Sequence, residues 1–179
     1  AEIMERADEF ARQLPIGDPS DHGIVMGPLI TEGQVAKSER YVAAAVENGA
    51  TVVTGGHRPE HLAKGHFFEP TLLDLPDNSN PAAQDEIFGP VASVIGYDDV
   101  DDAVRIANDS IYGLAGMVFG DTANAVKVAQ RIRSGTVWVN TAAPSGYAPF
   151  GGYKQSGVGR EMGEHGFREY QEIKHLYIG

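Results

Sequence analysis

Val91-Ala92-Ser93-Val94-Ile95-Gly96-Tyr97, Leu114-Ala115-Gly116-Met117-Val118-Phe119 and Thr136-Val137-Trp138-Val139-Asn140 are three short, largely apolar runs. Helical patterns separate them. Asp98 or Asp99 caps a predicted helix over 100–109, and Asp121 or Thr122 caps another that runs to Arg133 and closes at Gly135. Strands that are apolar on both faces must be covered on both faces. Their alternation with helices predicts an α/β fold, a mostly parallel sheet with helices on both faces.

The same alternation extends outward in both directions. Towards the amino end, residues 2–14 place Ile3, Met4, Ala7, Phe10, Ala11 and Leu14 on one helical stripe, which Pro15 ends. Thr31-Glu32-Gly33-Gln34 reads as a capping box that opens a helix to about Asn48, with Gly49 in the left-handed cap position. A short strand over 50–54 follows. Residues 67–73 read as extended, with Pro70 marking an edge or a break. Towards the carboxy end come a Gly-rich loop, a helix near 158–168 and a final strand from Ile173 to Ile178. There is no internal repeat and no low-complexity tract.

Composition narrows the function classes. The chain has 179 residues and is 42% hydrophobic, enough for a domain that buries roughly 70% of its unfolded surface. The formal net charge is −11, without clustered Lys or Arg, so a nucleic-acid surface is not expected. No apolar stretch approaches the ~20 residues that span a bilayer. The absence of cysteine removes disulfides and thiolate metal sites and fits a cytoplasmic protein. The chain opens within a helical pattern and without an initiator Met, which reads as a fragment or a processed product.

Three motifs carry chemistry or imitate it. In Asp85-Glu86-Ile87-Phe88-Gly89-Pro90-Val91, Glu86 and Phe88 are two apart and can point to the same side just before a strand. A carboxylate beside an aromatic ring suits a nucleotide: the carboxylate accepts from ribose hydroxyls while the ring packs on a flat base. A solvated Glu beside a core Phe is the plainer alternative. Pro149-Phe150-Gly151-Gly152-Tyr153-Lys154-Gln155-Ser156-Gly157-Val158-Gly159-Arg160-Glu161 imitates a phosphate loop, but no Lys-Ser pair follows Gly157. It imitates a dinucleotide fingerprint too, but Met162 stands where the third Gly belongs. Its glycines read instead as sites of tight turns and close backbone approach. His57-Arg58-Pro59-Glu60-His61 matches His-x-x-Glu-His, a metal motif that works only on a helix. Pro59 forbids that helix, so no metal site is expected.

The Glu86–Pro90 and Pro149–Glu161 segments, with the order of elements along essentially the whole chain, resemble the carboxy-terminal part of an aldehyde dehydrogenase. The resemblance implies residues 1–170 as a partial catalytic domain and 171–179 as a carboxy-terminal oligomerisation strand. It implies that Glu86 holds the nicotinamide ribose of NAD or NADP and that Phe88 borders the nicotinamide. Gly27-Pro28-Leu29-Ile30 with Gln34 and Lys37 resembles a family segment near the adenosine half of the cofactor. From the residues alone, Gln34 is part of a cap and Lys37 a solvated cation. Residues 141–148 fall where the family's substrate loop runs, which makes Trp138, Asn140, Tyr147 and Phe150 candidates there. Core packing is the alternative for Trp138. Glu161 is either an auxiliary proton relay or half of a structural salt bridge. Arg160 is expected to pair with Glu172.

The family oxidises an aldehyde to a carboxylic acid through a cysteine thiolate, and this chain has no cysteine. Three readings follow: an inactive piece of an NAD(P)-dependent aldehyde dehydrogenase, a non-catalytic assembly or binding subunit that works with another chain, and a scaffold put to other use. Self-association is expected, with an aldehyde as the substrate of the parent enzyme.

Overall fold

The computed structural model describes residues 2–143 and 145–179. The chain divides into two compact units, 1–96 and 97–179. Unit 1 holds α1 (Glu2–Gln13), α2 (Glu32–Glu47), β1 (Thr51–Thr54), β2 (Thr71–Leu75), α3 (Pro81–Gln84) and β3 (Val91–Ile95). Its sheet has the order β1-β2-β3. β2 and β3 are parallel, in register from Thr71 opposite Val91 to Leu75 opposite Ile95. The connection between them contains α3, the crossover that parallel neighbours require. β1 and β2 are joined without a helix and pair antiparallel, so the fold is α/β with a mixed sheet in this unit. Strand β2 begins directly after Pro70, and Thr71 donates its amide to the Pro90 carbonyl at 2.8 Å.

The core of unit 1 lies between α2 and the sheet. Val35, Val42 and Ala45 pack with Ala50, Phe68, Leu73, Leu75, Ala82 and Ile87. Local chemistry sets the helix ends. The Thr31 hydroxyl accepts from the Gln34 amide, and Gly49 closes α2 at φ +88°. The return bond of a full capping box, from the Gln34 side chain to Thr31, is not formed. Buried Asn80 ties two helix ends together. Its amide donates to the Ala45 and Asn48 carbonyls at 3.0 and 3.4 Å, and its oxygen accepts from Ala82 at 3.0 Å. The apolar stripe of α1 is the exception: no residue of this helix is buried, and Ile3 and Phe10 are exposed.

Unit 2 holds α4 (Val100–Asn108), β4 (Ala115–Val118), α5 (Thr122–Ala129), β5 (Thr136–Val139), a 3-10 turn (Lys154–Ser156) and α6 (Gly163–Arg168). β4 and β5 are parallel, with Met117 opposite Trp138. Asp99 and Asp121 are the caps of α4 and α5, each accepting from an amide three residues on. Helix α5 stops at Ala129, short of the expected Arg133. There the Arg131 and Ile132 amides turn back to carbonyls three residues earlier, and the Asn108 side chain takes the Arg131 carbonyl and the Arg133 amide. The last helix begins at Gly163, later than expected, because Met162 and Gly163 both have positive φ and Glu161 pairs with Phe150.

The expected strand at Ile173–Ile178 does not form. Residues 171–179 are without regular structure and fully on the surface. A strand needs a partner for its amides and carbonyls, and none lies among the described residues. No helix of the described residues is long and apolar enough to cross a membrane.

Candidate functional site

In unit 1 the Asp85–Gly89 turn is built around one buried side chain. Ile87 enters the core, so Glu86 and Phe88 on either side of it turn outward, and both are exposed. Phe88 is 69% exposed and sits at φ +56°, a conformation that a non-glycine residue holds only when its surroundings impose it. Such a residue carries about 1–3 kcal/mol of strain. The next residue is a glycine with a steric task of its own. A Cβ on Gly89 would stand 2.1 Å from Ser38 Oγ, on the buried face of α2.

Helix α2 also supplies Lys37 and Tyr41, one turn apart on the same face. Lys37 Nζ donates to the Glu86 carbonyl at 2.6 Å. It lies 5.6 Å from the Tyr41 ring centroid and 5.7 Å from that of Phe88, within cation–π range of both. Tyr41 Oη donates to Asp85 Oδ2 at 3.0 Å. Lys37 is therefore no freely solvated cation. The structure brings it to Glu86 and Phe88 across 49 residues of sequence. Gln34, half-buried on the same helix, takes part through its backbone: its amide goes to Thr31 and its carbonyl accepts from Ser38. Tyr41 and Ser38 went unnoticed in the sequence reading. The signal for Tyr41 was its spacing of one helical turn from Lys37.

Nearby in unit 1, the His57-x-x-Glu60-His61 stretch is not helical. Its Arg58 donates to Glu39 at 2.8 Å and to both carboxylate oxygens of Glu32, while His66 approaches Glu32 at 3.3 Å. The Arg58 hydrogen bonds hold the Glu32 carboxyl below its ordinary range, and Glu32 in turn raises Arg58. His57 faces Glu69 at 3.6 Å. Through Glu32 and Glu39, Arg58 fastens the 57–66 loop to α2.

In unit 2 the Gly-rich loop lines an open cleft of about 380 Å³ that includes Leu114, Phe150, Arg160, Glu161 and Glu169. Phe150 and Glu161 exchange backbone hydrogen bonds at 2.8 and 2.7 Å, which brings these two candidates together. Glu161 is exposed and makes no ion pair among the described residues. The glycines do what close backbone approach requires. A Cβ on Gly135 would stand 1.6 Å from the Gly151 carbonyl oxygen, and one on Gly113 2.5 Å from that of Arg133. Lys154 Nζ fixes the loop to the end of α4 through the Asn108 and Ser110 carbonyls at 2.8 and 3.0 Å.

Arg160 does not pair with Glu172. It donates to the Gly152 and Gly159 carbonyls at 3.1 and 2.6 Å and lies 5.5 Å from the Tyr153 ring centroid. With those partners at hand and no strand at 173–178, nothing draws Glu172 to it.

The other candidates separate. Trp138 is half-buried in β5. Asn140, at φ +52°, uses its side chain on local backbone. Its oxygen accepts from Gly120 and its nitrogen donates to the Gly120 carbonyl, both at 2.9 Å. It thereby clasps the β4–α5 turn at the root of the 141–148 stretch. Tyr147 is 94% exposed. None of these three lines the cleft that holds Phe150 and Glu161.

Comparison with known proteins gives a consistent picture. The model of the aldehyde dehydrogenase family matches residues 1–176. An aldehyde dehydrogenase homologue of Staphylococcus saprophyticus is 46% identical over 177 residues, 98% of this chain and 37% of the relative. The chain thus spans little more than a third of such relatives. Among solved structures, a Mycobacterium tuberculosis aldehyde dehydrogenase complexed with NAD+ superposes with a TM-score of 0.90 at 47% identity, over 94% of this chain and 35% of the other. Betaine aldehyde dehydrogenase of Staphylococcus aureus, also with NAD+, gives 0.88 at 44% identity, over 93% and 34%. A mutant of aldehyde dehydrogenase C of Pseudomonas syringae, complexed with NAD+ and octanal, gives 0.91 at 42% identity, over 96% and 36%.

Proposed function

Because the chain belongs to the aldehyde dehydrogenase family, we propose that it carries the nicotinamide-ribose clamp of an NAD(P)-dependent enzyme that oxidises an aldehyde to a carboxylic acid. The observation behind this reading is the Asp85–Gly89 turn, in which Ile87 is buried while Glu86 and Phe88 on either side of it are both exposed. These residues fit the group. Glu86 makes no ion pair among the described residues, so its carboxylate is available to accept from two ribose hydroxyls, and the Phe88 ring offers an apolar face. Bound there, NAD or NADP would accept the hydride of the aldehyde. The crystallised relatives with NAD+ support that cofactor.

In this reading Glu86 orients the ribose and Phe88 excludes water from one side of the ring. Phe150, Trp138, Asn140 and Tyr147 belong to the substrate end, and Glu161 is available as a proton relay. The chain alone contributes no nucleophile: it has no cysteine, and carboxylates are poor nucleophiles towards aldehydes. It therefore turns over no aldehyde by itself. Its affinity for the cofactor is low as well. Hydrogen bonds to a charged group contribute about 1.5–3 kcal/mol each, against about 4–15 kcal/mol of lost freedom on association. Millimolar binding or weaker follows. The chain also associates with itself, residues 173–178 gaining in a second copy the strand partner they lack.

Calorimetry with NAD and NADP, an aldehyde-dependent absorbance assay and light scattering test this reading. Weak binding abolished by Glu86→Gln, no turnover and a species larger than the monomer are expected. Turnover that survives repurification would overturn the inactivity, and binding indifferent to Glu86→Gln would overturn the clamp.

A further inference from the structure

We propose that Lys37 is a positioning residue that, with Tyr41, holds the Asp85–Phe88 turn in its outward-facing form, and that it does so without touching the nucleotide. The inference rests on the clamp reading of Glu86 and Phe88 and deepens it. Three contacts from one face of α2 reach three residues of the turn, on either side of the buried Ile87. Tyr41 Oη takes the Asp85 carboxylate at 3.0 Å. Lys37 Nζ takes the Glu86 carbonyl at 2.6 Å. The same ammonium stands 5.7 Å from the Phe88 ring centroid and 5.6 Å from the Tyr41 ring centroid, so it is shared between the two rings.

The turn needs such a hold. Phe88 is at φ +56° and is 69% exposed, so it has little packing of its own with which to fix that backbone. The buried Ile87 fixes one point of the turn, and Gly89 fits against Ser38 beyond it. On either side of Ile87, the direction of the Glu86 carbonyl and the strained Phe88 backbone are set from α2. A lysine does this better than an apolar residue of the same length. Its ammonium donates to a backbone carbonyl and remains attractive to two ring faces at once. With its charge so engaged, Lys37 orders the residues that meet the ligand and lowers the ordering cost paid on binding.

The test uses the whole 179-residue chain, isotope-labelled, with backbone order parameters over 85–89 and shift titrations with nicotinamide mononucleotide and with AMP. Lys37→Met is expected to lower the order parameters at 86–88 from about 0.85 to below about 0.6 and to weaken nicotinamide mononucleotide about tenfold. Lys37→Arg is expected to restore both in large part. Tyr41→Phe should loosen Asp85 alone, and Lys37→Gln carries the test if Lys37→Met does not fold. Weaker binding in Lys37→Met with the turn still rigid would overturn the proposal, as would a selective loss of AMP binding: either makes Lys37 a direct contact. A turn that loosens in Lys37→Met while Glu86→Gln leaves mononucleotide binding unchanged would uphold the positioning role and overturn the clamp reading.

Discussion

Leu73 in β2 and Met117 in β4 both sit within parallel strand pairs, yet Leu73 is fully buried and Met117 is 51% exposed. The contrast holds for the units that contain them. Among the described residues, every buried apolar side chain except Val104 and Ala125 belongs to residues 1–96. Unit 1 is held by side chains converging on one core. Unit 2 is held largely by backbone meeting backbone, as where Gly113 accepts from both Gly135 and Tyr153. Apolar burial stabilises in proportion to area. Backbone hydrogen bonds add less net free energy and tolerate no added atom between the chains they join. The Glu86–Phe88 turn therefore stands on a packed base, while the Gly-rich loop depends on steric fit.

Substitution should separate the two kinds of support. Leu73→Ala removes a fully buried side chain and should cost about 2–5 kcal/mol, read as a lowered urea midpoint in far-ultraviolet circular dichroism. Met117→Ala should stay within about 1 kcal/mol by the same measurement. Equal effects would erase the contrast. Gly135→Ala is expected to be the worst small change in unit 2, at about 1–3 kcal/mol, because the new Cβ meets the Gly151 carbonyl at 1.6 Å. Trp138, the single tryptophan, lies three residues away in β5 and reports it by fluorescence. An unchanged Trp138 transition would show that the loop yields easily.

The smallest expected effect is on pH. Glu32 is lowered chiefly by its hydrogen bonds from Arg58, and Asp102 chiefly by those from Arg105. A carboxyl with a depressed folded value stabilises the fold above its unfolded value, near 4, and that contribution disappears as pH falls through the folded value. The urea midpoint should thus decline below about pH 4, by a small amount that Arg58→Met reduces further, since both pairs are exposed and screened. A midpoint that rises on acidification would contradict the sign.

What the sequence disclosed and what it hid divide along physical lines. Thr31, Asp99, Asp121 and Gly49 were legible because caps act within a few residues. The exposure of Glu86 and Phe88 fits their places on either side of the apolar Ile87, while the positive φ of Phe88 is no part of an extended two-residue spacing. The hold of Lys37 on the Glu86 carbonyl was not legible because the two lie 49 residues apart. The Asn140 amide clasp on Gly120 is likewise a tertiary contact that no spacing rule announces. Residues 173–178 form no strand within the chain for a related reason: an apolar run can suit a strand, but a partner makes one. For Arg160, family geometry suggested Glu172, while the loop's own carbonyls were nearer.

The central claim is that residues 1–96 carry a ready-made nicotinamide-ribose clamp. Shift mapping of the labelled chain with nicotinamide mononucleotide tests it most directly. The account predicts the largest perturbations at Glu86 and Phe88, with their saturation lost in Glu86→Gln. Perturbations concentrated in residues 97–179, or saturation that persists unchanged in Glu86→Gln, would contradict it.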